Sequence, residues 1–167
     1  MKLEIMNRFV SHILGLLCFI GTEYAVMANP TGGQVAAGAA SIAGQGTSAV
    51  EVKQASNLAI INWQTFSIAS GESTTFVQPS AASATLNRVL GGETSLINGT
   101  LSANGSIFLI NGNGTVVGPG GVVRANAFTD STRDISDDDF LAGNLHFVGS
   151  NPAGVQNFGT IHALGGD

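Results

Sequence analysis

The sequence predicts an all-β chain wound into a coil of short parallel strands, a β-helix. Three observations carry that reading. After Ala28 no stretch keeps the 3.6-residue apolar period of an amphipathic helix; short apolar bursts stand between Gly, Asn, Ser and Pro instead. The corners recur: Asn98-Gly99-Thr100-Leu101 returns 15 residues later as Asn113-Gly114-Thr115-Val116, and Gly159-Thr160-Ile161 lies a further 45 residues on. Charged residues make up only 10% of the chain, against about a quarter in an average soluble domain. In a β-helix each residue sits ~4.8 Å above its counterpart in the next turn. Like charges stacked at that spacing repel by roughly 0.9 kcal/mol even in water, whereas Asn, Ser and Thr form hydrogen-bonded ladders. An antiparallel sandwich also has short strands and turns; the recurrent corner favours the coil.

The elements follow in order. Residues 1–28 have the layout of a secretory signal peptide. Lys2 and Arg8 flank the start, Phe9 to Gly21 is mostly apolar, and Val26 and Ala28 are the small residues of a cleavage site between Ala28 and Asn29. The apolar part is well short of the ~20 residues a membrane anchor needs. Leu16-Leu17 before Cys18 do not fit a lipoprotein signal. Cys18 is the one cysteine, so the chain from Asn29 onward is exported without any disulfide and rests on packing and backbone hydrogen bonds. Strands are expected at Val50-Glu51-Val52, Leu58 to Ile61, Thr74 to Val77, Ile107 to Ile110, Val122-Val123 and Leu145 to Val148. Asn and Gly between them are expected to supply left-handed corners. Asp130 to Asp139, DSTRDISDDD, holds five of the nine acids after Ala28. A stack of turns does not host such a cluster, so a protruding, solvated loop or hairpin is expected. Calcium binding is the weaker alternative, because the alternating ligands, central Gly and terminal Glu of an EF-hand loop are absent.

Several function classes are disfavoured, and a carbohydrate-active β-helix enzyme stands as the alternative reading. A net charge of −5 gives no basic footprint for a nucleic acid. A carbohydrate-active β-helix enzyme would need paired carboxylates, or a metal with a base. After Ala28 the acids outside the Asp-rich run are Glu51, Glu72, Glu93 and Asp167, and none are paired at strand spacing. His146 and His162, 16 residues apart, would stack about one turn apart, but two histidines make a poor zinc site. No metal or cofactor site is therefore expected. Gly112-Asn113-Gly114 is no dinucleotide loop, since no helix pattern follows and Pro119 blocks one. Asn98, Asn104 and Asn113 match the N-x-[ST] pattern, but each precedes Gly, which fits a turn.

A further set of motifs runs through the chain in order: Trp63-Gln64-Thr65-Phe66-Ser67-Ile68, Gly71-Glu72, Phe76-Val77-Gln78-Pro79, Leu86-Asn87-Arg88-Val89, Ser95-Leu96-Ile97-Asn98-Gly99 and Ile107 to Gly114. Ala127-Phe128, Ser131 to Ile135 and Phe140 to Gly149 continue it. With these, the chain from Ile60 onward resembles the N-terminal secretion domain of the filamentous haemagglutinin family, the exoproteins of bacterial two-partner secretion. The family's usual L-I-N-P-N-G-I stands here as Leu109-Ile110-Asn111-Gly112-Asn113-Gly114-Thr115, with Gly112 for Pro and Thr115 for Ile. The resemblance implies a right-handed parallel β-helix with an N-terminal cap and a few extra antiparallel strands over residues 29–167. It implies a targeting and fold-nucleating module with no enzyme activity, the first part of a longer adhesin- or haemolysin-like exoprotein. Its partner would be an outer-membrane β-barrel transporter with periplasmic domains. The product would leave through the periplasm to the medium or cell surface, where a downstream passenger meets a ligand on a host or neighbouring cell. The candidate recognition residues are the family's Asn87, Arg88, Val89, Asn111, Gly112, Asn113 and Gly114. Asn113-Gly114 reads either as a turn or as a transporter contact, and Arg88 either pairs with Glu93 or touches the partner.

Overall fold

The computed structural model describes residues 28–165, so the signal segment and Cys18 lie outside the described residues except for Ala28. Strands form where the sequence alternates or runs apolar between corners. They are β1 (Gln34–Ala37), β2 (Ala40–Ala43), β3 (Ala49–Gln54), β4 (Leu58–Trp63), β5 (Ser73–Val77), β6 (Ala84–Val89) and β7 (Ser95–Ile97). There follow β8 (Thr100–Ala103), β9 (Ser106–Asn111), β10 (Thr115–Val117), β11 (Val122–Ala125), β12 (Ala127–Ser131), a short helix α1 (Asp137–Ala142), β13 (Val155–Asn157) and β14 (Thr160–Ala163).

These strands wind into the expected β-helix. Three sheets form its walls, with orders β14-β11-β8-β5-β3-β2, β1-β4-β6-β9-β12 and β13-β10-β7. The chain visits them in rotation: β5-β6-β7, β8-β9-β10 and β11-β12-β13 are three complete turns. In the turn before them β3 and β4 lead to Ile68, whose single parallel bridge to Ile97 stands for the third strand. Neighbouring turns pair in parallel, while β1 on β4 and β2 on β3 are antiparallel and close the first turn as a cap.

Successive turns advance the chain by unequal steps: Val50 lies beside Thr74, Thr74 beside Leu101, Leu101 beside Val123 and Val123 beside Ile161. The 15-residue interval is therefore not the turn. Thr100 opens β8 and Thr115 opens β10, two corners of the same turn in different walls. The residues truly stacked are Thr100, Val122 and Thr160, each preceded by glycine. Nor do asparagines supply left-handed corners, because every positive φ among the described residues belongs to glycine. Asparagines tie turns together through their side chains: the Asn104 amide donates to the Gln78 carbonyl (2.8 Å), and its oxygen accepts the Gln78 N–H (2.7 Å). The stacked glycines serve close approach. A Cβ on Gly121 would strike the Ile97 carbonyl in the turn beneath, and one on Gly159 the Gly121 carbonyl. Gly121→Ala is accordingly expected to cost about 1–3 kcal/mol as an overpacked site, seen as a lower urea midpoint at unchanged slope.

Two cores result. Inside the coil, Val52, Trp63, Phe66, Phe76, Leu101 and Leu109 belong to one buried cluster, with the Trp63 and Phe66 rings edge to face at 5.6 Å. The second core lies outside the five-stranded wall, where Ile60, Leu86, Phe108 and Ile110 are covered by Ile135 and Phe140. This overturns the solvated loop expected at Asp130 to Asp139. The excursion between β12 and β13 folds back over the wall, and Phe140 packs edge to face on Phe108 at 5.4 Å. The acids have architectural places. Ser136 caps α1 by accepting the Asp139 N–H and donating to the Asp139 carboxylate, and Asp137, Asp138 and Asp139 occupy the first turn, where the helix dipole favours negative charge. Gly143, at φ 77°, ends the helix. Leu145 to Val148 forms no strand; Val148 makes only an isolated bridge to Asp134. His146 follows α1 while His162 lies on β14 opposite Arg124, so the expected histidine stack does not form.

Candidate functional site: the stacked asparagine corner

The two family motifs, far apart in sequence, meet on adjacent turns. In the β6–β9 register Asn87 lies beside Leu109, Arg88 beside Ile110 and Val89 beside Asn111. Strand alternation sends Asn87 and Val89 toward the coil interior and Arg88 outward.

Asn87 is fully buried. Its Oδ1 accepts the Trp63 indole N–H at 3.0 Å, and its amide donates to the Phe108 carbonyl at 3.3 Å. It thus satisfies the polar edge of the largest core side chain and links three successive turns, those of β4, β6 and β9. Val89 belongs to the interior cluster.

Arg88 does not pair with Glu93. Its Nε donates to Asp134 at 2.8 Å, Nη1 to Asp137 at 2.7 Å and Nη2 to the Ile135 carbonyl at 2.6 Å. Burial pulls the guanidinium pKa down, but the bonds and charges of Asp134 and Asp137 more than offset this and leave it above its ordinary value. The outward base of the motif therefore clamps the excursion onto the wall, a role hidden from sequence because its partners lie 46 and 49 residues away.

The second motif builds a corner at the end of β9. Asn111 is fully buried. Its amide donates to the Glu93 carbonyl and to Ser95 Oγ, both at 2.9 Å, and its oxygen accepts the Asn113 N–H at 2.9 Å. The Gly114 N–H closes the turn onto the Asn111 carbonyl at 2.9 Å, with Gly114 at φ 90°. Asn113 is exposed, and its amide donates to the Gly91 carbonyl at 2.9 Å. A Cβ on Gly112, where the family carries Pro, would press on the Asn151 amide at 2.7 Å, so this chain's glycine makes room for the excursion returning to the coil. Thr94 Oγ1 donates to the Asn113 carbonyl at 2.8 Å. Thr94 and Glu93 in turn line a shallow cavity of about 360 Å³ that Ala28, Leu96 and Asn98 also border.

This cavity and corner offer hydrogen bonds and an apolar floor, not acid–base machinery. Among the described residues no three His, Cys, Asp or Glu side chains converge as metal ligands. One titratable group stands apart. Asp130, on β12 beside Leu109 of the interior core, is held mostly out of water. Burial pushes its carboxyl up to about 7, against the smaller opposing pull of the Thr115 hydroxyl and the Ser131 N–H. Neither Asp130 oxygen nor Thr115 Oγ1 finds a well-aligned partner, so burial dominates.

The chain is a capped β-solenoid whose motif side chains stitch turn to turn. Residues 11–161 match the TPS secretion domain, and the chain belongs to that family. It is similar to the HMW1 secretion domain from Haemophilus influenzae, known from a crystal structure, with 34% sequence identity and a TM-score of 0.74 over 80% of this chain and 36% of that one. It is also 32% identical over 135 residues to a heme/hemopexin-binding protein of Haemophilus influenzae strain Rd, covering 80% of this chain and 14% of that protein. A second heme/hemopexin-binding protein of Haemophilus influenzae is 36% identical over 84 residues, 50% of this chain and 9% of that protein. The chain thus spans a small part of the relatives it matches. The family is a non-enzymatic secretion module of exoproteins that cross the outer membrane, which removes the carbohydrate-active alternative for this domain.

Proposed function

We propose that residues 29–167, freed of a signal peptide at Ala28–Asn29, are the address by which a longer exoprotein is captured in the periplasm. The partner is the periplasmic part of an outer-membrane β-barrel transporter, and the passenger follows to the cell surface or the medium. The observation that supports this most is the family match across the whole coil. The related heme/hemopexin-binding proteins favour a haem- or hemopexin-directed passenger over an adhesin, haemolysin or toxin. The edge strands β1 and β2 of the cap each have one partner strand, a geometry suited to strand addition by the transporter.

On this reading Asn87, Arg88, Val89 and Asn111 act through the fold, and Asn113 is the motif residue free to be touched. Asn113→Ala removes the exposed hydrogen bond to the Gly91 carbonyl and a longer one, at 3.4 Å, to Asn111 Oδ1, a loss of about 1 kcal/mol. It is expected to lower export with the transporter only as far as it lowers the melting temperature. Abolished export of a variant that melts like the parent would instead make this corner the transporter's contact.

A further inference from the structure

Glu72 is 7% exposed and sits at the corner that joins the first turn to the second. Gly71, at φ 80°, turns the chain into it, and the Glu72 carbonyl accepts the Thr100 N–H at 3.0 Å. Its carboxylate accepts the Ala69 N–H at 2.9 Å and the Ala28 N–H at 3.2 Å from each oxygen. Among the described residues, no Lys, Arg or His nitrogen lies within 4.0 Å of it. A buried carboxylate without a counter-charge is costly, yet this one faces the place where the expected leader ends.

The chain is anchored at that place. The Asn29 side chain is 1% exposed; its amide donates to the Thr47 carbonyl at 2.8 Å, and its oxygen accepts the Thr74 hydroxyl at 3.1 Å. The Asn29 backbone nitrogen follows that of Ala28 by three bonds, a span under about 4 Å. The Asn29 side-chain anchors keep that nitrogen at this corner, within a small backbone shift of the Glu72 carboxylate that the Ala28 N–H meets at 3.2 Å.

We propose that leader removal supplies the missing counter-charge: the α-ammonium freed at Asn29 takes the place of the Ala28 N–H and forms a buried ion pair with Glu72. The step is an ordinary hydrolysis by a leader peptidase. Water's oxygen goes to the Ala28 carboxylate, the Asn29 nitrogen leaves as the amine, and at neutral pH it holds a further proton. The N-terminal cap is thereby weaker while the leader is attached and locks once the leader is cut. A chain that still carries its leader thus closes its first turn less firmly. This rests on the reading of cleavage between Ala28 and Asn29.

The test uses the whole chain with its leader, exported by cells and purified from them, and the mass of the product identifies its first residue. Four products are compared by urea unfolding: the parent, Glu72→Gln, and the same two with a Gly-Ser pair inserted between Ala28 and Asn29. In the insertion products a peptide N–H stands where the ammonium would be. The parent is expected to exceed its insertion counterpart by about tenfold in the folding equilibrium constant, and Glu72→Gln is expected to erase that difference. Equal stability of the two parents, in products that begin as designed, overturns the ion pair alone; this comparison requires no change at Glu72. A parent product that begins elsewhere than Asn29 overturns the cleavage reading and the pair with it.

Discussion

Phe140→Ala is expected to release the excursion between β12 and β13 from the coil wall and to cost about 3–5 kcal/mol, the range for removing a buried aromatic. Phe140 is 3% exposed and sits edge to face on Phe108. Without it, Ile60, Leu86 and Ile110 lose a buried aromatic of their cover, and Ile135 with the partly buried Phe147 is all that the excursion leaves over them. The coil itself is stitched by main-chain pairing and retains its interior cluster. The expected outcome is therefore local: fast amide exchange over residues 132–154, with slow exchange kept in β4, β6 and β9. Arg88 reinforces the same contact through Asp134 and Asp137, both roughly half exposed. Arg88→Met should thus have the same pattern with a smaller loss.

The second large effect is electrostatic. The Asp130 carboxyl is raised from 3.8 to about 7 in the folded chain. The folded state therefore holds this proton more tightly than the unfolded state does. Its contribution is fully present below about pH 4 and is lost as pH rises through about 7. Between those limits the native chain should lose about 2–4 kcal/mol of stability from this one group. Asp130→Asn mimics the protonated acid, so it is expected to stabilise at pH 8, to be near neutral at pH 4, and to flatten the slope between. Urea midpoints of the two proteins across that range check the sign. An Asn variant that is less stable at pH 8 would mean that the ionised carboxylate is well solvated or paired.

Much of the coil was legible in the sequence, and the failures have physical causes. The bursts at Val50, Leu58, Thr74, Ile107 and Val122 became β3, β4, β5, β9 and β11 because short apolar runs between corners have few other ways to be buried. The turn period was misread because every turn has several corners of similar composition, and turn lengths differ. An Asn-Gly-Thr string marks a corner without saying which wall follows. The Asp-rich run was misread because its charges were weighed and its neighbours were not. Ser136 three residues before Asp139 is a capping pattern, and Phe140 behind it is the apolar residue that docks the helix. The unbroken runs Ala59 to Ile61 and Ile107 to Ile110 were also informative: strands without alternation are buried on both faces, which calls for a cover outside the wall.

The candidate site divided along the same line. That Asn111 to Gly114 makes a corner was readable from residue types, since Asn offers an acceptor to the N–H two residues on. The tie of Asn87 to Trp63 and the clamp of Arg88 on Asp134 and Asp137 depend on which residues the winding stacks, and no local pattern encodes that. Glu72 was noted as part of a motif and as an unpaired acid, because its burial follows from the corner and from Ala28 lying across it.

The most direct measurement fuses residues 1–167 to a reporter enzyme and follows its appearance in the medium with and without a candidate outer-membrane partner transporter supplied in the same cells. The reporter is expected outside only when the transporter is present, and Gly121→Ala should reduce its export in step with its loss of stability. A reporter that stays in the periplasm with that transporter supplied, or that reaches the medium equally without it, would contradict the account.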